Sequence, residues 1–267
     1  MIRNLINGNI GCNYMLYDEF KLQSRELLNQ HPFNQIESKE QIITLLPHFL
    51  GLSLAFPYIQ AGSQLSLVLE SINANQDISH HAEITSVVGN FLCWDETGGH
   101  YIIERYGKGG LPKILETKKY FHSNLLRRDI KILTGNEIIP DFSDPTKSYL
   151  LLLIKGLSNK DPIIRCAYMV AFEIHASTII ESLWVAIKKF FFNDTNELIY
   201  FKSHVGDDDP AEAYHVDMVH KMLELIICKK EALRFQEQAI SALTESLCWS
   251  SSILSFAPAS TRDNNGY

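Results

Sequence analysis

Paired cysteines are missing from this sequence. Its five cysteines (Cys12, Cys93, Cys166, Cys228, Cys248) are scattered, odd in number and never spaced Cys-x-x-Cys. That pattern excludes a thiolate zinc ribbon and favours reduced thiols over a disulfide framework. Positive charge is scarce too: 24 Lys and Arg against 31 Asp and Glu leave a net charge of −7. Neutralising phosphates takes a surplus of cations, so neither nucleic acid nor an anionic membrane is an expected partner. Long apolar runs are lacking, and a stretch such as Tyr149-Leu-Leu-Leu-Leu-Ile154 is too short to cross a bilayer. Met1 to Cys12 has neither the basic start nor the apolar centre of a secretion signal. These absences together predict a cytoplasmic protein.

Several catalytic signatures are absent as well. The chain holds no His-Glu-x-x-His, no phosphate loop, no Gly-x-Ser-x-Gly and no Gly-x-Gly-x-x-Gly. Glu-x-x-His occurs once, at Glu212 and His215, where a ferritin-like di-iron bundle needs it twice. Runs of alternating strand residues bounded by hairpin turns are also missing, so the chain reads as all-α.

What is present is helical punctuation. Tyr14 to Asn29 is amphipathic and is closed by His31-Pro32, and Ser38-Lys-Glu-Gln41 has the form of a capping box. Pro47 and Pro57 interrupt the apolar stretch that follows, which predicts kinks or breaks there. Helices are expected over Ile78 to Asp95, Lys118 to Leu133 and Lys229 to Trp249, with loops at Gly107 to Pro112 and Asn136 to Pro145. Asp144-Pro145 and Asp161-Pro162 are helix starts. The second launches a long helix reaching about Phe191, rich enough in large apolar side chains to be central, and Asn193-Asp194 breaks it. One helical domain over residues 1–249 and a flexible tail over 250–267 complete the reading.

The densest chemistry lies between Tyr200 and His215. At about 100° per residue, His204, Asp208, Glu212 and His215 share a narrow arc of one helix face, and such nitrogen and oxygen donors suit iron or manganese. A plainer reading competes: Asp209-Pro210-Ala211-Glu212 is a helix start, with Glu212 as a cap and Asp207 and Asp208 complementing the dipole. Capping accounts for neither histidine. Glu173, in the most apolar helix, is either a metal ligand or one half of an ion pair with a residue such as Arg165 or Lys188. His175, on another face of that helix, reads as a core or surface histidine. Glu96 and His100 would share a face if their helix continued; Gly98 and Gly99 allow a C-terminal turn instead. His80, His81, Glu83 and Asn90 offer a weaker alternative set.

The order of these residues carries a resemblance. An acidic helix end (Asp95-Glu96-Thr-Gly-Gly), a mid-helix Glu (Ala171-Phe-Glu173) and Tyr200-Phe-x-x-His204 with acids and a second histidine downstream resemble the haem-oxygenase-like helical fold. Within it they resemble the non-haem di-metal oxidase branch, a scaffold shared with thiaminase-like and pyrroloquinoline-quinone-synthesis proteins. The likeness spans roughly residues 75 to 225.

That branch draws Glu and His from one helix, Glu from the next, and His-x-x-x-Asp-x-x-His from a later one. The resemblance therefore implies metal ligands at Glu96, His100, Glu173, His204 and Asp208. Ala211 stands where the last histidine should fall, so either His215 reaches back past Pro210, or Glu212 substitutes, or one metal site is incomplete. The implied cofactor is a di-iron or manganese/iron pair, and the implied activity is an oxidase or oxygenase using dioxygen on a small organic substrate, with a homodimer admissible. Trp94, Tyr200 and Tyr214 would flank the metals. The alternatives on the same scaffold are a metal-free ligand- or partner-binding protein, a cofactorless oxidase, and a thiaminase-like enzyme with Cys93 or Cys166 as nucleophile. No N-terminal histidine stands out as a haem ligand, since His31 adjoins Pro32 at a helix end.

Overall fold

The computed structural model describes residues 14–191, 195–205 and 211–257, without the side chains of 14, 15 and 211–213. Within those residues the chain is helical and has no strand. In order run α1 (Tyr14–Asn29), α2 (Lys39–Gly62), α3 (Leu65–Asn73), α4 (His80–Glu96), α5 (Gly99–Tyr106) and α6 (Thr117–Tyr120). They are followed by α7 (His122–Thr134), α8 (Asp144–Leu157), α9 (Pro162–Phe190), α10 (Ile199–Val205), α11 (Ala211–Ile226) and α12 (Ala232–Leu254).

Local chemistry sets most of these ends. Ser38 accepts the Gln41 N–H at the start of α2, Ser79 accepts the Ala82 N–H at α4, and Asp161 accepts the Ile163 N–H before Pro162 opens α9. Gly135 ends α7 in the left-handed region that favours glycine. Some expectations need correction. Pro47 and Pro57 lie inside α2, which continues through both because its buried side chains outweigh two missing amide donors. Residues 118–133 form two helices separated at Phe121, and the loop expected at Gly107 to Pro112 is replaced by a 3₁₀ helix over Lys108–Leu115. α12 spans Ala232–Leu254 rather than Lys229 to Trp249, with Ser250 and Ile253 buried in its last turns. Asn193-Asp194, Met1 to Cys12 and residues 258–267 lie outside the described residues.

α9 is the axis. Ile163, Cys166, Val170, Ile179, Leu183 and Ile187 are all buried along it. α12 packs along one side, α2 and α8 along another, and α10 and α11 lie across the remainder. Phe56 of α2 stacks on Phe172 of α9, with ring centroids 4.3 Å apart, and Trp249 of α12 stacks on Tyr149 of α8 at 5.3 Å. Burying an aromatic ring of this size contributes about 1.5–3 kcal/mol. Two stretches, Lys39–Asn73 and Pro162–Phe190, are long and apolar enough to cross a membrane, contrary to the reading of uninterrupted runs, but 67% of each window is buried inside the bundle. Their apolar residues are the protein's core.

One polar network threads that core. The buried Arg165 guanidinium donates to Thr85 Oγ1 at 3.2 Å and to the carbonyls of Asn159 and Lys160. Thr85 in turn donates to Gln64, whose amide reaches the Leu157 carbonyl at 2.8 Å. Arg165 is thereby committed elsewhere and does not pair with Glu173.

Candidate metal centre

The site forms where helix ends converge. α4 finishes on Asp95 and Glu96, Thr97 caps it, and Gly98 turns the chain at φ +82° so that α5 can begin one residue later. A Cβ at Gly98 would meet the Tyr120 carbonyl at 2.6 Å, so the position needs glycine for space as well as for its dihedral. The helix does not run on from Glu96 to His100. The turn sends His100 to Asp95 instead, with Nδ1 to Oδ1 at 2.9 Å.

Glu96, His122 and His204 offer one ligand atom each, all within 4.8 Å of one another. Glu96 comes from the last turn of α4, His122 from the first residue of α7, and His204 from the end of α10. His122 Nδ1 lies 3.7 Å from Glu96 Oε2, and its ring meets that of His204 edge to face at 4.9 Å. His204 Nδ1 donates to the Tyr200 carbonyl at 2.7 Å, which places the imidazole lone pair on Nε2 and fixes the ring's orientation. Asp129, one helical face along α7 from His122, accepts the Ile199 N–H at 2.9 Å and the Phe201 N–H at 3.2 Å. The start of the His204 helix is thus tied to the helix that carries His122.

A second group adjoins the first through Asp95. Its Oδ2 lies 3.0 Å from His215 Nε2, and His215 Nδ1 lies 3.7 Å from Glu173 Oε2. Burial alone would raise the Asp95 carboxyl, but the His215 hydrogen bond, the nearby His122 and His100 outweigh it and hold the group far below the usual carboxylate range. Burial, reinforced by Glu96, pushes the Tyr200 phenol well above its ordinary value, so a tyrosine that stays protonated stands beside the triad. Its ring lies 4.3 Å from that of His204.

The expected ligands therefore divide. Glu96 and His204 meet in the first group, joined by His122, which sequence reasoning missed. His100, Glu173 and His215 meet in the second around Asp95, read from sequence only as a helix-end acid. His204 and His215 sit on two separate helices, α10 and α11, and reach adjoining groups. Asp208 lies outside the described residues, and Glu212 is on α11 with its side chain outside them. A signal for His122 existed: with Leu126, Ile130 and Leu133 it lies on the buried stripe of α7.

Other candidates fall away from the site. His80 pairs with Glu83 at 3.1 Å on the exposed surface. His175 is buried against His31 and Ser250. Burial pushes the Cys166 thiol up to about 12, and burial with Glu96 raises that of Cys93, so neither is an activated nucleophile. Tyr214 is largely exposed, with its ring 6.2 Å from that of His100.

Two cavities reach these groups. One of about 730 Å³ is lined by Asp95, His100 and His122 among others; another of about 630 Å³ reaches Glu173 and His215. Both have the size of small-molecule sites, roughly 300–1,000 Å³.

The chain matches no protein-family model and no curated protein. A solved structure, a domain of unknown function with a heme oxygenase-like fold from Shewanella denitrificans OS217, is similar with a TM-score of 0.51 at 14% identity. The match covers 91% of this chain and 90% of that one. The fold is haem-oxygenase-like.

Proposed function

We propose, with the haem-oxygenase-like fold as the frame, that this chain is a non-haem metal-dependent oxidase or oxygenase acting on a small organic substrate with dioxygen. The observation that carries the reading is the set of two imidazoles and one carboxylate, Glu96, His122 and His204, with ligand atoms within 4.8 Å of one another. Three such donors on one ion leave coordination positions open, the pattern of non-haem iron oxygenases, and suit iron or manganese. The bound ion would supply one-electron chemistry toward dioxygen.

The protein's part is positioning and enclosure. The Tyr200 carbonyl holds the His204 ring, Asp129 anchors the helix that presents it, and the buried Tyr200 phenol keeps its proton beside Glu96. The cavity of about 730 Å³ brings substrate against His122. Asp95, His100, His215 and Glu173 form a second nitrogen and oxygen set beside the first, which would orient it or hold a second ion.

The test is metal content after anaerobic purification and reconstitution with Fe(II) or Mn(II). Near-stoichiometric metal that is lost in both His122→Ala and His204→Ala supports the reading. A second equivalent, lost selectively in Glu173→Ala, extends it to a di-metal site. Protein that takes up neither ion, or whose uptake ignores both histidine substitutions, overturns it.

A further inference from the structure

The cavity of about 730 Å³ is lined by cations out of proportion to the chain's charge. Arg105, Lys118, Lys119 and Arg128 face it, against the carboxylates of Asp95 and Glu104, in a protein of net charge −7. Asp95 is already engaged by His100 and His215. Lys119 has Glu116 at 3.7 Å. Among the described residues, Arg105, Lys118 and Arg128 have no carboxylate within ion-pair distance. Arg105 is instead steered by tyrosine, donating to the Tyr101 hydroxyl at 2.7 Å and lying over the Tyr101 ring. The wall also includes Tyr101, Tyr120, Leu125, Ile199 and His122.

We infer that this cavity binds an organic carboxylate, with its charged head on Arg105, Lys118 and Arg128 and its apolar body along Tyr101, Tyr120 and Leu125 toward the triad. Like-signed side chains converging on one concave site raise the local concentration of the opposite charge, and guanidinium groups pair well with carboxylates. The apolar wall favours a body that carries no charge of its own. In this arrangement the head engages the cations rather than the metal ligands, so the carbon presented to the triad would be one remote from the carboxylate. The inference rests on the proposed metal site only for that last point; binding of the anion is read without it.

The experiment is calorimetric titration with benzoate, phenylacetate, octanoate and decanoate, each beside its matched amine and alcohol. Metal content is measured on the same samples. The wild-type protein should bind at least one carboxylate in preference to its amine and alcohol. Arg128→Gln combined with Lys118→Gln, both at exposed positions, should weaken that binding about tenfold with the melting temperature unchanged. Arg128→Lys should retain most of the affinity. Glu96→Gln should lose metal yet still bind the carboxylate. The inference is overturned if no carboxylate binds, if amines bind equally well, or if the double variant binds as the wild type does. Loss of carboxylate binding together with metal in Glu96→Gln would put the head on the ion and overturn the proposed orientation. Wild-type protein that takes up neither Fe(II) nor Mn(II) yet binds carboxylates would sink the oxidase reading and leave the anion site standing.

Discussion

His122 and His204 meet edge to face with ring centroids 4.9 Å apart, one opening α7 and the other near the end of α10. Neither helix by itself holds a candidate ligand set; their contact beside Glu96 assembles the candidate one. If, as proposed, His122 supplies a donor directly, His122→Ala should lower metal affinity by more than the roughly 10–100-fold typical of losing an outer partner. Competitive Fe(II) titration checks this, and a loss below about tenfold would place His122 outside the ligand set.

Asp129 holds that contact together. Its carboxylate accepts the Ile199 and Phe201 amides from α10 while its own backbone belongs to α7. Asp129→Ala leaves two amides unpaired at about 1–3 kcal/mol each. The expected outcome is a less stable protein in chemical denaturation and weaker metal binding at a temperature where it remains folded. Weakened metal binding that Asp129→Asn partly restores would mark Asp129 as a positioning residue.

His31 and Asp129 should give the stability opposite slopes in mildly acidic solution. Burial lowers His31 to about 4, and burial with its neighbour His31 lowers His175 well below its ordinary value, against about 6.5 for an unfolded imidazole. Over that window the unfolded chain binds more protons, so the histidines' contribution is lost as pH falls. Burial raises Asp129 to about 6, although the Ile199 and Phe201 amides and Arg128 oppose the shift. Its contribution is complete below the unfolded carboxylate value of about 3.9 and is lost as pH rises toward 6. Asp129→Asn should therefore show stability rising with pH from about 4 to 6.5, by at most about 1.4 kcal/mol per unit for each histidine. His31→Gln should show a shallower rise or a fall. Parallel profiles for the two variants would contradict both assignments.

Gly98→Ala tests the turn between α4 and α5. At φ +82° an alanine costs about 1–2 kcal/mol, and its Cβ would press on the Tyr120 carbonyl. A lower melting temperature is expected, with weaker metal binding because Glu96 sits two residues before the turn. Gly135, with φ +75° and ψ −4° in the same left-handed region and open space around its Cβ position, serves as the control, since Gly135→Ala meets the dihedral cost alone. Equal losses in the two variants would show that the Tyr120 contact contributes nothing.

The sequence by itself determined the helical class, most helix starts and the central place of α9. Those features are local: Ser38, Ser79 and Asp161 cap their own helices, Gly135 ends its own, and the apolar spacing of α9 needs no partner to be seen. It also supplied Glu96 and His204 as candidate donors. Only the tertiary structure decided which donors meet. His122 lies on the buried stripe of α7 and gains its neighbour only because α10 brings His204 against it. Asp95 and Glu96 are neighbours in the chain, yet successive helical residues point about 100° apart, so one reaches His100 and His215 while the other reaches His122 and His204. Spacing along a helix can be read from a sequence because it repeats every few residues, whereas contacts between helices depend on how distant segments pack.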